Sequence, residues 1–230
     1  MNKYEIIRKI ENFAPVENAE AWDCVGFMVE TPRENIYRTM ICLTVTDSVI
    51  AQAKRQECDM IISHHPLFEI PISWSDIDIY SAHTNMDKAY GGTTDTIISS
   101  LYLDDYKVGI EHDFLRMIDF KKDLSILDFV GMLKVLSPNL RYINNKNCDC
   151  IRKVAFCAGS GSEFIADARN LGADALVTGD LKFHTALESQ IVVFDIGHFE
   201  SELLIRPVFK SLIGEGIEVL FADEKSPFIY

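Results

Sequence analysis

Met60-Ile61-Ile62-Ser63-His64-His65-Pro66 carries an unbroken apolar run into two adjacent histidines and a proline. A short apolar run of this kind reads as a buried strand. Side chains alternate faces along a strand, so His64 and His65 cannot point the same way while the strand lasts. At its end, entering a turn fixed by Pro66, they can diverge and each hold a different metal ion. The plainer reading has one histidine capping a carbonyl and the other in solvent. An adjacent pair after a buried strand favours the ligand role.

The same unit recurs further along. A shift of 115 positions, half of the 230-residue chain, lays Asp59 on Asp174, Ile61 on Leu176, Ile62 on Val177, Ser63 on Thr178 and Phe68 on Phe183. It also lays His83 on His198 and Asp87 on Glu202, without a gap. In the first half the expected elements are a helix over 2–13, a strand over 37–44, a helix capped by Asp47 and running through Ala53, strands over 60–63 and 79–82, and a helix opening at Thr93 or Thr94. In the second half they are a strand over 154–158, a Gly/Ser turn at 159–162 into a helix through Leu171, a strand over 175–178, a segment over 184–188 and a strand over 191–196. Between them, Ser125 and Asp128 form a capping box that opens a helix to Leu136, ended by Pro138.

Strand–helix–strand units with short turns point to an α/β fold: two pseudo-symmetric, duplicated α/β halves with parallel-rich sheets, 1–115 and 116–230, forming one functional unit over 1–230. Polar side chains gather at the carboxyl ends of such strands, and both His/carboxylate pairs follow strand ends. A dinuclear metal site between the halves is the expectation.

Composition narrows the classes. The 22 basic and 35 acidic residues give a net charge of −13, which disfavours general nucleic-acid binding. An acidic excess also suits a protein that gathers divalent cations, although ordinary solubility is the plainer explanation. No apolar run approaches the roughly 20 residues of a membrane span, and the first residues lack the pattern of a signal peptide. A soluble, cytoplasmic protein is expected. The six cysteines contain no Cys-x-x-Cys; Cys42, Cys58 and Cys157 read as buried hydrophobes, and Cys148 and Cys150 as exposed. Nothing points to a disulfide framework or a thiolate-bound metal.

The candidate ligands are therefore imidazoles and carboxylates. His198 and Glu202 share one face of a helix, and Gly197 allows a sharp turn ahead of them. Glu202 can bridge two cations with its two oxygens, whereas Glu200 would point to a different helix face. Asp87 supplies a carboxylate from the first half. His83 is either a sixth ligand or a proton carrier beside the metals, and the second role is preferred. Asp180, Lys182 and His184 occupy the loop equivalent to His64–Phe68. They are poor ligand candidates, because Gly179 stands where His64 does, but they can line a pocket; His184 is a second catalytic candidate. Gly159-Ser160-Gly161-Ser162 precedes a helix and could hold an anion on its N–H groups.

These motifs together resemble the Nif-three-like family, whose members are often called GTP cyclohydrolase 1 type 2 homologs. The resemblance rests on Ala21-Trp22-Asp23-Cys24-Val25-Gly26, Ile61–Leu67, Ala82–Asp87, Gly159–Gly161, Thr178–His184 and Asp195–Glu202. It implies a dinuclear site held by His64, His65, Asp87, His198 and Glu202, with Glu202 as the bridge, and a toroidal homohexamer whose metal sites face an internal cavity. It also implies the short form of the family, since 230 residues leave no room for the domain many members insert between the halves. Cys24 departs from the Asn usual there.

The activity so implied is that of a metal-dependent hydrolase using a metal-bound hydroxide on a small-molecule, nucleotide-like substrate; the family name points to opening of the guanine imidazole ring of GTP. Family membership is weak evidence for a particular substrate. A two-metal phosphoesterase is one alternative, and a non-catalytic metal-binding ring or scaffold is another. The cofactors would be two divalent cations, and His/carboxylate sites accept Zn, Fe, Mn or Ni by availability as much as by affinity.

Overall fold

A computed structural model of the chain describes residues 1–101, 103, 106–109 and 112–229. In chain order the elements are α1 (Lys3–Phe13), β1 (Gly26–Val29), β2 (Arg38–Cys42), α2 (Asp47–Arg55), β3 (Met60–Ser63), β4 (Asp78–Ser81), α3 (Thr84–Lys88), α4 (Thr93–Ser100), β5 (Tyr106–Gly109) and β6 (Arg116–Ser125). There follow α5 (Ile126–Leu133), β7 (Arg141–Ile143), β8 (Cys150–Phe156), α6 (Ile165–Asn170), β9 (Ala175–Thr178), α7 (Phe183–Glu188), β10 (Val192–Asp195), α8 (His198–Glu202), α9 (Arg206–Ile213) and β11 (Glu218–Phe221).

The chain forms two compact units, one of residues 1–92 and 205–227, the other of 93–204 and 228–230. They are cut differently from the sequence halves 1–115 and 116–230. The segment after β4 and α3 leaves the first unit at α4, and the segment after α8 returns to it as α9 and β11.

The first unit holds a mixed sheet in the order β1-β4-β3-β2-β11, parallel throughout except for the antiparallel edge strand β1. Both faces are covered, which explains the unbroken apolar run of β3. Ile41, Ile62 and Tyr80 face α1 and α9 through Ile6, Ile10, Phe209 and Ile213. Met40, Ile61 and Ile79 face the other way, onto Val49, Ala53 and Trp74. Each such aliphatic side chain taken from water contributes roughly 1.5–3 kcal/mol.

The second unit holds a sheet in the order β5-β6-β8-β9-β10-β7, in which β8, β9 and β10 are mutually parallel and the outer pairings are antiparallel. Ala175, Val177 and Phe194 pack on Phe129 and Leu133 of α5, while Leu176 and Val193 pack on Ile165 and Ala168 of α6. The expected mixed α/β architecture, with two sheets rich in parallel strands, is what the chain adopts.

Within each unit the parallel trio is built alike. Thr39 pairs with Met60, and Val154 with Ala175, matching the 115-residue shift. The next strand does not keep it: Met60 pairs with Asp78, but Ala175 pairs with Val192. The connection from β9 to β10 is one residue shorter than that from β3 to β4, so the ungapped register fails there. His83 is consequently the residue before α3, whereas His198 is the first residue of α8.

Three local expectations also change. Thr46, not Asp47, caps α2, accepting from the Val49 N–H at 3.3 Å, while Asp47 accepts from the Trp74 indole at 3.2 Å. Ser125 caps α5 through the Asp128 N–H at 3.1 Å, as expected, but the helix ends at Leu133 rather than Leu136. The Gly/Ser turn enters a short 3₁₀ segment, Ser162–Phe164, before α6.

At the start of β4, fully buried Asp78 meets buried Lys3 of α1 at 3.2 Å and accepts from the Thr31 N–H at 2.7 Å and the Thr31 hydroxyl at 2.9 Å. Removing one partner of a buried pair leaves an uncompensated charge. Asp78→Ala is therefore expected to lower stability by about 3–5 kcal/mol in urea unfolding. A loss below about 1 kcal/mol, the range of an exposed pair, would show that this contact does not anchor β4.

Candidate metal centre

In the first unit the strand ends bring three imidazoles together. One ring nitrogen from each of His64, His65 and His83 lies within 4.8 Å of the others. The rings are 5.2 Å (His64–His65), 5.1 Å (His64–His83) and 5.6 Å (His65–His83) apart between centroids. The backbone sets this up: the His64 N–H donates to Cys42 O and the His65 N–H to Leu43 O, so β2 holds the histidine pair as β3 ends. Beneath them the Ser63 and Ser81 hydroxyls meet at 2.6 Å, so one donates to the other, and the second donates to the His65 carbonyl that lies 3.0 and 3.2 Å from the two oxygens.

Each imidazole has its Nδ1 engaged. His64, fully buried, donates Nδ1–H to the Ala82 carbonyl at 3.0 Å, which leaves Nε2 as its ligating nitrogen. His65 Nδ1 is 2.7 Å from the Thr44 hydroxyl. His83 Nδ1 is 2.9 Å from Asp23 Oδ1. Asp23 is itself fixed by the N–H and hydroxyl of Thr84. Burial works to raise the Asp23 carboxyl, but the hydrogen bonds from Thr84 and His83 outweigh it and hold the group below the ordinary carboxylate range. Asn85, fully buried, accepts from the His83 N–H at 3.0 Å and donates to Ala14 O at 2.7 Å, locking the turn into α3. That helix then delivers Asp87, whose Oδ1 lies 3.4 Å from His64 Nε2.

The second unit places His198 and Glu202 one helical turn apart, with His198 Nε2 at 2.9 Å from Glu202 Oε2. The opposite nitrogen, Nδ1, is 2.7 Å from Asp180 Oδ2. Three glycines make the close approaches feasible. Gly197 has φ +85°, the sharp turn expected ahead of α8, and the Glu200 carboxylate folds over it. A Cβ at Gly159, which has φ +62°, would fall 2.1 Å from Glu202 Oε1. A Cβ at Gly179 would fall 2.7 Å from the His198 backbone nitrogen. The residue standing where His64 stands in the first half is therefore glycine because the α8 backbone passes over it.

Burial alone would lower the His198 pKa. The hydrogen bond and charge of Glu202, followed by those of Asp180, outweigh it and raise the imidazole to about 9.

Among the sequence candidates, His64, His65, His83 and Asp87 converge in the first unit, and His198 and Glu202 converge in the second. His184 is exposed on α7 with its ring against Phe183. Asp180 lines a pocket beside His198, and Lys182 lines a separate, wider depression with Arg169, Glu163 and Glu188. The expectation that the Gly159–Ser162 turn offers amides to an anion changes. Gly159 N–H donates to Ser201 Oγ at 2.9 Å and Gly161 N–H to Thr178 Oγ1 at 2.8 Å, so both are spent on the protein. Sequence reasoning gave no role to Asp23 or Thr44, none to Gly159 beyond the anion-binding turn, and none to Asp180 as the partner of His198. Asp23, Gly159 and Asp180 sit in motifs that invited attention, whereas Thr44 does not.

Imidazole nitrogens backed by second hydrogen bonds, with carboxylates beside them and no thiolate, suit a divalent transition cation. Cys148 and Cys150 are exposed and Cys42, Cys58 and Cys157 are buried, as expected; Cys24 is exposed as well. No helix among the described residues is long and apolar enough to cross a membrane.

Fold and site together define a two-unit α/β protein with clustered His/carboxylate side chains at the ends of parallel strands. The family model described as Duf34/NIF3 (NGG1p interacting factor 3) matches residues 1–74 and 71–227. The chain is 33% identical to the GTP cyclohydrolase 1 type 2 homolog of Clostridium perfringens (strain 13 / Type A), with 99% of each chain covered. Reduced HcgD from Methanocaldococcus jannaschii is similar in structure with a TM-score of 0.84 and 28% identity, covering 97% of this chain and 98% of that one. A Bacillus cereus protein related to NIF3 gives a TM-score of 0.86 at 20% identity, covering 100% and 99%, a likeness of fold. The chain belongs to the Duf34/NIF3 family.

The charge balance around His198 is directly measurable. In metal-free protein its imidazole should titrate near 9 rather than at the ordinary value near 6.5. A raised folded-state pKa stabilises the fold fully below about 6.5, and that contribution is lost as pH rises through about 9. NMR titration should show the high midpoint in the wild type and a lower one in Glu202→Gln. A midpoint near 6.5 in both would mean that the carboxylates do not hold the ring.

Proposed function

We propose that this chain is a metal-dependent hydrolase acting on a small, nucleotide-like molecule, with His64, His65, Asp87, His198 and Glu202 holding two divalent cations. The observation that carries the reading is the clustering of His64, His65 and His83 with each Nδ1 already engaged. Rings fixed in this way offer their remaining nitrogen without the entropy cost of ordering it. Relatives bearing the name GTP cyclohydrolase 1 type 2 homolog make a nucleotide-like substrate the first class to test. The net charge of −13 disfavours nucleic acid as that substrate.

Zn, Fe, Mn or Ni held there would supply Lewis acidity and a water made acidic near neutral pH. The protein's own groups do the rest. Asp23 fixes the His83 tautomer, so His83 Nε2 takes or gives a proton beside the reacting group. Asp180 orients His198 from the far nitrogen. Glu202, with Oε1 against Gly159 and Oε2 against His198 Nε2, is the carboxylate suited to bridging. A homohexameric ring accompanies this reading through the family resemblance, and light scattering on the full chain tests it.

A second reading, a non-catalytic metal-binding ring or scaffold, draws on a specific observation. His83 lies as close to His64 as His65 does, so it can serve as a further ligand and close the site, as in structural metal centres.

Metal analysis combined with turnover of a panel of nucleotides, phosphoesters and cyclic amides separates the two. Glu202→Ala should lower the content of both metals. His83→Ala should keep its metal and lose roughly 10²–10⁴-fold in turnover, the range for a positioned acid–base group. Loss of metal in His83→Ala, or no turnover of any panel member by fully metallated wild type, would favour the binding ring.

A further inference from the structure

Beside His198 the second unit contains a pocket of about 190 Å³, lined by Ser137, Asn139, Arg141, Asp180, Asp195 and His198. Phe228 also lines it. This is smaller than the roughly 300–1,000 Å³ of pockets that enclose a drug-sized ligand, so it fits an arm of a molecule rather than the whole.

Its hydrogen-bonding capacity is unbalanced. Arg141, at the start of β7, grips Asp195 Oδ2 with Nε at 2.8 Å and Nη2 at 2.7 Å, and Nη2 also donates to Leu181 O at 3.0 Å. Asp195 is nearly buried and accepts from the Leu181 and Gly197 N–H groups as well. The guanidinium is therefore held rigidly and its charge is matched on one side. Among the described residues its Nη1, with two N–H groups, meets no acceptor, and neither the Ser137 hydroxyl nor the Asn139 amide has a protein partner. Asp180 Oδ2 is taken up by His198 Nδ1 at 2.7 Å, which leaves Asp180 Oδ1 as the carboxylate oxygen on the wall. Against it stand the N–H groups of the guanidinium, the Asn139 amide and the Ser137 hydroxyl, an excess of donors around a largely exposed arginine clamped from one side, the arrangement that recognises oxygen anions.

We infer that this pocket holds an oxyanion arm of the substrate, a phosphate or a carboxylate, with Arg141 as the specificity-determining residue and Asn139 and Ser137 as supporting donors. Calling the occupant a substrate rests on the hydrolase reading above; the oxyanion site itself stands on the second unit alone. Held there, the anionic group would position the rest of the molecule toward His198 without occupying a ligand position on that ring.

The test uses full-length, metal-free protein titrated with inorganic phosphate, with acetate and with chloride at matched ionic strength. The Arg141 Nε–H and Asn139 N–H resonances are followed by NMR. Saturable shifts at these groups are expected with phosphate, or with acetate if the arm is a carboxylate, and not with chloride. Arg141→Gln should weaken that binding by about tenfold or more, the scale of a lost charge-assisted bond. Asn139→Asp leaves the Arg141–Asp195 clamp intact and adds a negative charge to the wall, so it should abolish binding even if Arg141→Gln unfolds. No saturable shift with either anion, or binding that survives both substitutions, overturns the inference. Phosphate bound at Arg141 in a protein that takes up no divalent metal when it is afterwards added would leave this site standing and remove the hydrolase reading, and metal uptake without anion binding would do the reverse.

Discussion

A histidine can serve as a metal ligand through one nitrogen only when the other is satisfied, and in the first unit this requirement shapes everything around the cluster. The Ala82 carbonyl, the Thr44 hydroxyl and the Asp23 carboxylate each engage one Nδ1. They come from three places: the residue just after β4, the loop after β2 and the loop before β1. The parallel pairing of β2, β3 and β4, with β1 antiparallel beside β4, is what brings those loops to one edge. A fold that gathers strand ends thus gathers both the candidate ligands and the groups that orient them. The buried ion pair of Lys3 and Asp78 holds the opposite end of β4, so the strand that leads to His83 is fixed at both ends.

The second unit meets the same requirement with different parts. Asp180 plays for His198 the role that Asp23 plays for His83, but it arrives from the loop after β9, at φ +54°, in the left-handed region that Asp tolerates better than most residues. Glycines replace bulk where α8 crosses the strand ends. Gly179 makes room for the His198 backbone and Gly159 for the Glu202 carboxylate. The pairing of Asp195 with Arg141, and its hydrogen bonds to Leu181 and Gly197, tie both flanks of His198 to β10. The first unit presents imidazoles from strand ends, whereas the second presents an imidazole and a carboxylate from a short helix.

Much of this was legible in the sequence because it is local. Four consecutive buried residues in β3, and again in β9, announce strands covered on both faces, and the histidines that end β3 stand out against them. Spacings of four residues placed Asp87 near His83 and Glu202 near His198 on helices that exist. The rest depended on length or distance. One residue fewer between β9 and β10 breaks the 115-residue register, and matching letters at His83 and His198 conceal it. Asp47 outranks Thr46 as a cap by type alone, yet Asp47 turns to the Trp74 indole. Several strands escaped notice. β1, β7 and β11 are short edge strands, exposed or only half-buried over most of their length, and β6 runs into the charged stretch Lys121-Lys122-Asp123 toward its end. That β11 pairs with β2, nearly the whole chain away, has no local signature. Asp23 is 60 positions from His83, and no periodic pattern connects the two.

X-ray absorption on the zinc-loaded full-length protein reads out directly whether the preset histidines bind metal. Binding there gives an imidazole nitrogen shell at about 2.0–2.1 Å, a metal–metal vector of about 3.5–4 Å at full loading, and loss of most of the imidazole scattering in a His64→Ala, His65→Ala double variant. A shell of water oxygens alone, or imidazole scattering unchanged in the double variant, would contradict it.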